Sequence, residues 1–196
     1  MKAFAIANLD GPADPAFFDR VRRLSGAGVD WILLRDKGLE DAARLRNAEG
    51  CRAAVRAPSR LLVHGRADLA VAVGADGVHL AARGVPAAAV RAVAPGLTVG
   101  RSCHSVTECG EAAAEGLAYA LLGPVAAPRS KGGEGRISRS DLARAATLGI
   151  DIFALGGIAL ETLGTLRGIG LAGVAAVTLF MADEPLEQIV EAVRNA

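Results

Sequence analysis

Residues 119 to 136 hold the densest group of side chains that could do chemistry. The apolar run Ala118–Leu122 stops at Gly123-Pro124, and the following loop carries Arg129, Ser130, Lys131 and Arg136 among glycines. Glycines let backbone amides approach a ligand closely, and cations beside such a backbone suit an anion, most often a phosphate. The alternative is a solvated surface loop. Further along the chain Arg35, Asp36 and Lys37 stand together, His64 precedes a glycine, and Ser102-Cys103-His104 combines hydroxyl, thiol and imidazole. Gly156-Gly157 and Val177-Thr178 each follow an apolar run. The chemistry open to this set is anion binding by cations and N–H groups. Proton transfer near neutral pH wants a histidine or a tuned lysine or cysteine, which leaves His64, His104, Cys103 and Lys131 as candidates.

Composition bounds what these groups can belong to. The chain has 196 residues, enough for one domain with a sizeable core, so a single domain over residues 1–196 is expected. Apolar residues make up 52% and aromatics 4%, which predicts a core of many small aliphatic contacts rather than a few large rings. The net charge of +1 argues against a nucleic-acid or anionic-membrane surface, which needs a concentrated basic field. Cys51, Cys103 and Cys109 have no metal-ligand spacing, and an odd count speaks against a disulfide framework. No apolar run approaches a membrane span, and Met1-Lys2 leads into a short apolar run without a signal-peptide layout. A cytoplasmic protein is expected, and a homo-oligomer is plausible for an alanine-rich chain.

The elements that must position these residues alternate. Short apolar runs at Ala3–Ala7, Trp31–Leu34, Leu61–Val63, Gly77–Leu80, Leu97–Gly100, Ala118–Leu122, Ile150–Leu155 and Gly173–Val177 read as strands. Helical stretches separate them. Asp14-Pro15 supplies an N-cap and a first-turn proline, Ser105 with Glu108 has capping-box spacing, and Ser138 or Ser140 caps another helix. The last helix, Leu186–Arg194, spaces Leu186, Ile189, Val190 and Val193 on one face. Strands buried on both faces with helical crossovers imply a parallel sheet, and eight such units close a (β/α)8 TIM barrel. An open doubly wound sheet would want a glycine fingerprint after its first strand, and none is present.

In a barrel, function sits at the C-terminal strand ends. Those positions are Arg35 to Lys37 after strand two, His64 after three, Ala81-Ala82 after four and Ser102 to His104 after five. The 123–136 loop, Gly156-Gly157 and Thr178 follow strands six, seven and eight. Gly156, Gly157, Val177 and Thr178 fall where barrel enzymes commonly bind phosphate. Ser102 and His104 share one strand face and Cys103 the other, against a Cys103–His104 dyad. His79 lies between Val78 and Leu80, which point the other way, and reads as structural.

The series Leu-Leu-Arg-Asp-Lys (33–37), Ala-Asp-Gly-Val-His-Leu (75–80), Gly-Arg-Ser-Cys-His-Ser (100–105), Leu-Gly-Pro-Val…Ser-Lys-Gly-Gly (122–133) and Ala-Leu-Gly-Gly-Ile (154–158) resembles the thiamine phosphate synthase/TenI superfamily. The resemblance implies a (β/α)8 protein that handles thiazole phosphate carboxylate in thiamine biosynthesis. The synthase branch joins it to hydroxymethylpyrimidine pyrophosphate with Mg²⁺; the TenI branch isomerises the thiazole without a metal. Departures from the pattern separate the branches. A synthase has a glutamine where Leu33 stands, asparagine-aspartate where His64-Gly65 stand, and a further aspartate within the stretch of Ala81-Ala82-Arg83-Gly84. Gly65-Arg66 matches the TenI branch, yet Pro124 replaces the histidine that a tautomerase of this branch carries after its strand-six glycine.

The resulting expectation is a TenI-like thiazole tautomerase needing no cofactor, with Mg²⁺ required only if the synthase alternative holds. Gly156, Gly157, Val177 and Thr178 would hold the phosphate. Arg35, Lys37, Ser102, Arg129, Ser130 and Lys131 would bind the rest of a phosphorylated thiazole or thiamine-related ligand, with His64 or His104 as proton shuttle and no metal ligand. A synthase, a non-catalytic phosphate-binding or regulatory homologue, and an unrelated sugar-phosphate isomerase are the alternatives.

Overall fold

The computed structural model describes residues 1–126, 136–181 and 185–196. Strands and helices alternate as β1 (Lys2–Leu9), α1 (Pro15–Gly26), β2 (Trp31–Asp36), α2 (Asp41–Ala54), β3 (Arg60–His64), α3 (Ala67–Ala72), β4 (Gly77–Leu80) and α4 (Ala87–Val93). The second half continues as β5 (Thr98–Cys103), α5 (Val106–Ala114), β6 (Tyr119–Leu122), α6 (Arg139–Ala146), β7 (Asp151–Leu155), α7 (Leu160–Leu163), β8 (Gly173–Ala176), α8 (Thr178–Met181) and α9 (Leu186–Arg194). All strand pairs are parallel and follow sequence order, and β8 returns to β1, so the sheet closes. The expected (β/α)8 barrel is the fold. Among the described residues no helix is long and apolar enough to cross a membrane.

Strand parity sorts side chains between two cores. On β2, Ile32 and Leu34 join the shell between sheet and helices, while Trp31 and Leu33 enter the barrel. The outer shell is the alanine, valine and leucine packing that composition implies. The interior is not. Phe4, Trp31, Tyr119 and Phe153 fill it, with ring centroids 4.7–6.0 Å apart. Low aromatic content does not predict this, because composition says nothing of where the few rings go. Each ring buries roughly 150–250 Å², so four of them plug a volume that alanines could not.

Local signals set most boundaries. Asp14 caps α1 by accepting the Phe17 N–H at 2.8 Å, and Phe17, Val21 and Leu24 form the helix's buried face. Of the two serines preceding α6, Ser138 is the cap, in a reciprocal box with Asp141. Several elements differ from the sequence reading. β1 runs on to Leu9, β2 to Asp36 and β5 to Cys103, which places Ser102 on the strand itself, and α8 adds a turn after β8. Polar residues in a strand's last turn hide such extensions, since pairing with the neighbouring strand rather than hydrophobicity holds them.

Candidate active site

A cavity of about 440 Å³ opens at the C-terminal mouth of the barrel. It brings together Arg35, Lys37, His64, Ser102, His104 and Val177, which come from four different strands or their ends. Leu33, Leu121 and Leu155 form its apolar floor. The volume falls in the range of small-molecule sites, roughly 300–1,000 Å³.

Parity on β2 decides the charge of this mouth. Arg35 follows Leu33 inward, and its guanidinium donates to the Asn8 side-chain oxygen at the end of β1. Asp36 points the opposite way. It is 1% exposed, its Oδ1 lies 3.5 Å from Arg44 Nε, and its Oδ2 accepts from Asn47 Nδ2 at 3.3 Å. Neither Arg35 nor Lys37 pairs with Asp36. Among the described residues no carboxylate pairs with Lys37. Asn8 reads in the sequence only as part of a turn; its role in holding Arg35 depends on β1–β2 register, which puts Asn8 opposite Arg35.

Histidines and hydroxyls occupy the next layer. His79 is 1% exposed and bonded at both nitrogens, Nδ1 to the Tyr119 hydroxyl at 3.0 Å and Nε2 to Ser102 Oγ at 2.9 Å. Among the described residues His79 is the partner of the fully buried Tyr119 hydroxyl. A buried O–H left without an acceptor is costly, so Tyr119 donates to Nδ1. Neutral His79 then carries its proton on Nε2 and donates to Ser102, whose own O–H is left to point at a ligand. The reading of His79 as structural is thus incomplete, since it also lines the cavity and sets the polarity of Ser102.

Burial, with His64 and Arg35 nearby, pushes the His79 pKa down to about 3. His64 is pushed down to about 4 by burial and by Lys37, Arg35 and Arg44. An unfolded imidazole titrates near 6.5, so below that pH the unfolded chain takes up protons that the folded one refuses. Stability from this source is complete above about pH 6.5 and is lost as pH falls toward the folded values. His79 alone makes the protein about 1.4 kcal/mol less stable at about pH 5.5 than at about pH 7.5. Urea unfolding at the two pH values measures this, and equal stability would contradict a neutral buried His79.

The remaining expected residues are placed as follows. His104 Nδ1 bonds the Gly123 carbonyl at 2.9 Å, which leaves Nε2 for a ligand, and its backbone N–H donates to Glu108. Cys103 faces the outer shell and is buried. Gly156 and Gly157 have φ of 95° and 67°. A Cβ there would lie 2.9 Å from Pro124 Cβ and 2.5 Å from Ala126 Cβ, so the close approach of residues 124–126 itself requires glycine. Val125 and Ala126 N–H groups bond the Leu155 and Gly156 carbonyls, and among the described residues the Gly156 and Gly157 N–H groups remain unbonded. Gly157 lines a separate groove of about 190 Å³ against α6 and α7, and Thr178 is exposed at the start of α8. Arg129, Ser130 and Lys131 lie outside the described residues. Arg66, part of the Gly65-Arg66 match, turns away to pair with Asp41 and Asp68.

The Mg²⁺ that the synthase branch implies does not fit these residues. It needs several hard oxygen ligands in near-octahedral array. The ends of β3 and β4 offer His64-Gly65 and Ala81-Ala82, Asp36 faces outward, and among the described residues no metal-holding group of acids, histidines or cysteines forms.

A family model described as thiamine monophosphate synthase matches residues 6–180. A putative thiamine-phosphate synthase of Geobacter sulfurreducens is 37% identical over 166 residues, covering 82% of this chain and 78% of that protein. The thiamine-phosphate synthase of Methanoculleus marisnigri is 33% identical over 183 residues, covering 90% and 86%. In fold, the chain superposes on a thiamine phosphate pyrophosphorylase from Pyrococcus furiosus with a TM-score of 0.84, at 24% identity, covering 99% and 94%. These similarities correct the functional expectation. The relatives carry the name of a synthase, a transferase, and the thiazole tautomerase reading is withdrawn. Its physical weakness was already local, since Pro124 cannot carry the proton that the tautomerase histidine would. The chain belongs to the thiamine monophosphate synthase family.

Proposed function

We propose that the chain joins a thiazole phosphate to hydroxymethylpyrimidine pyrophosphate, releasing pyrophosphate and forming thiamine phosphate. The observation that carries this reading is the cavity at the barrel mouth, whose lining charges Arg35 and Lys37 are both positive and would suit a group that leaves as a polyanion. In the reaction the bond from the pyrimidine methylene carbon to the pyrophosphate oxygen breaks. A bond from that carbon to the thiazole ring nitrogen forms, and the electron pair departs with the pyrophosphate. Arg35, aimed by Asn8, and Lys37 would stabilise the charge that accumulates on the leaving oxygen. Ser102 O–H, left available by His79, would hydrogen-bond the same group or the pyrimidine. The phosphate of the thiazole would lie against the N–H groups of Gly156, Gly157, Val177 and Thr178, and the apolar floor would take the rings. Arg129, Ser130 and Lys131 keep their proposed part in anion binding, and Nε2 of His104 faces the same cavity as a hydrogen-bonding group.

Incubating purified protein with both substrates, with and without Mg²⁺, tests the reading. Thiamine phosphate and pyrophosphate should appear in equal amounts. No product at high enzyme under either condition would dismiss the transferase. Binding of thiazole phosphate without turnover would then favour a non-catalytic homologue, the reading to which the missing carboxylates lend weight.

A further inference from the structure

We infer that this site holds a diphosphate anion without a divalent cation, using Arg35, Lys37 and the Nε2–H of His64 in the place where a metal would otherwise neutralise it. The inference rests on the reading that the cavity takes a diphosphate group, and goes beyond it in assigning the counter-charge.

Three observations carry it. The first is the donor set. Among the described residues, side-chain oxygens near the mouth are few: Asn8 Oδ1 is taken by Arg35, Ser102 Oγ already accepts from His79, and the Asp36 carboxylate is on the outer face of the sheet with Arg44 and Asn47. At the end of β4 stand the methyl groups of Ala81 and Ala82. Among the described residues a magnesium ion would gain no carboxylate and would have to keep most of its water shell. The second is the sign of the field. Arg35 and Lys37 line the cavity, and after burial, the larger cause, they and Arg44 add to the push that takes the His64 pKa down to about 4. Two cations lining one cavity repel a divalent cation and attract a polyanion.

The third is the state of His64 itself. Its Nδ1 is buried without a hydrogen-bond partner, while Nε2 is the nitrogen left accessible on the cavity side. An unpartnered buried lone pair is less unfavourable than an unpartnered buried N–H, so the proton belongs on Nε2. Neutral His64 therefore presents a fixed donor to an anion, between the two cations and Ser102. A glycine follows it, and that glycine offers no ligand atom beyond its backbone.

Isothermal titration with inorganic pyrophosphate tests the assignment on the wild-type protein. In EDTA, binding should be at least as tight as in excess Mg²⁺, because complexation removes charge from the anion and adds a cation to a positive site. His64→Ala should weaken binding in EDTA about tenfold, the loss of one hydrogen bond to a charged group. Binding seen only with Mg²⁺ would overturn the inference, and unchanged affinity in a folded His64→Ala protein, checked by circular dichroism, would remove His64 from it. The outcomes separate from those of the transferase assay. Pyrophosphate bound in EDTA with no thiamine phosphate formed leaves the site and removes the reaction; product and pyrophosphate binding that both require Mg²⁺ leave the reaction and remove the inference.

Discussion

Arg35→Gln is expected to lower kcat/KM for thiamine phosphate formation by about a hundredfold to a thousandfold, the range seen when one preorganised donor is taken from developing negative charge. Arg35 is the inward residue of the last turn of β2, and the Asn8 side chain fixes its guanidinium before any ligand arrives. A donor held in place does not reorganise as charge moves onto the leaving oxygen, which makes its contribution larger in the transition state than in the bound substrate. The loss should therefore fall mainly on kcat. Arg35→Lys keeps the charge and loses the fork, so its defect should be smaller, about tenfold. Asn8→Ala leaves the guanidinium present but unaimed, and should fall between the parent and Arg35→Gln. Steady-state kinetics on the three variants checks the order. A value for Arg35→Gln within about threefold of the parent would take Arg35 out of the chemistry, and a change confined to KM would make it a uniform binding contact.

The route from sequence to this site was open where parity and alternation carry the information. Eight apolar runs in alternation with helices are enough to specify a closed parallel sheet, and the placement of Arg35, His64 and Ser102 at strand ends then follows from the barrel. Contacts that depend on register between strands were not legible. Asn8 meets Arg35 only because β1 and β2 pair with those residues opposite each other, and no local pattern announces that. The His79–Tyr119–Ser102 relay joins three strands and is invisible to any window along the chain. The tautomerase expectation failed for a different reason. Missing carboxylates at the ends of β3 and β4 say what a site lacks, not which reaction it performs; similarity over most of the chain to proteins named as synthases carries more weight than four substituted positions.

Gly100→Ala should be a strongly damaging small change in the barrel. Gly100 sits on the inward face of β5, opposite His79 on β4 and Tyr119 on β6, so the three residues form one layer across adjacent strands. A Cβ at Gly100 would lie 2.1 to 2.5 Å from Cζ, Cε1 and Cδ1 of the Tyr119 ring. The ring cannot retreat, because Trp31, Phe4 and Phe153 hold it at centroid distances of 4.7, 5.5 and 6.0 Å. Overpacking of this kind costs about 3 kcal/mol or more, which in a chain of this size lowers the thermal midpoint by roughly 6–12 °C. The clash is with ring carbons, so adding Tyr119→Phe leaves it in place. Tyr119→Leu removes the ring edge and should recover part of the loss, giving a double variant more stable than the sum of the two single changes. Thermal unfolding followed by circular dichroism measures the parent, the single variants and the double variants. A midpoint for Gly100→Ala within about 2 °C of the parent, or equal rescue by phenylalanine and leucine, would contradict the packing. The same layer links stability to function. A ring displaced from Gly100 takes its hydroxyl away from His79 Nδ1, the tautomer that leaves Ser102 free to donate is no longer enforced, and any Gly100→Ala protein that still folds should also bind its ligand less well.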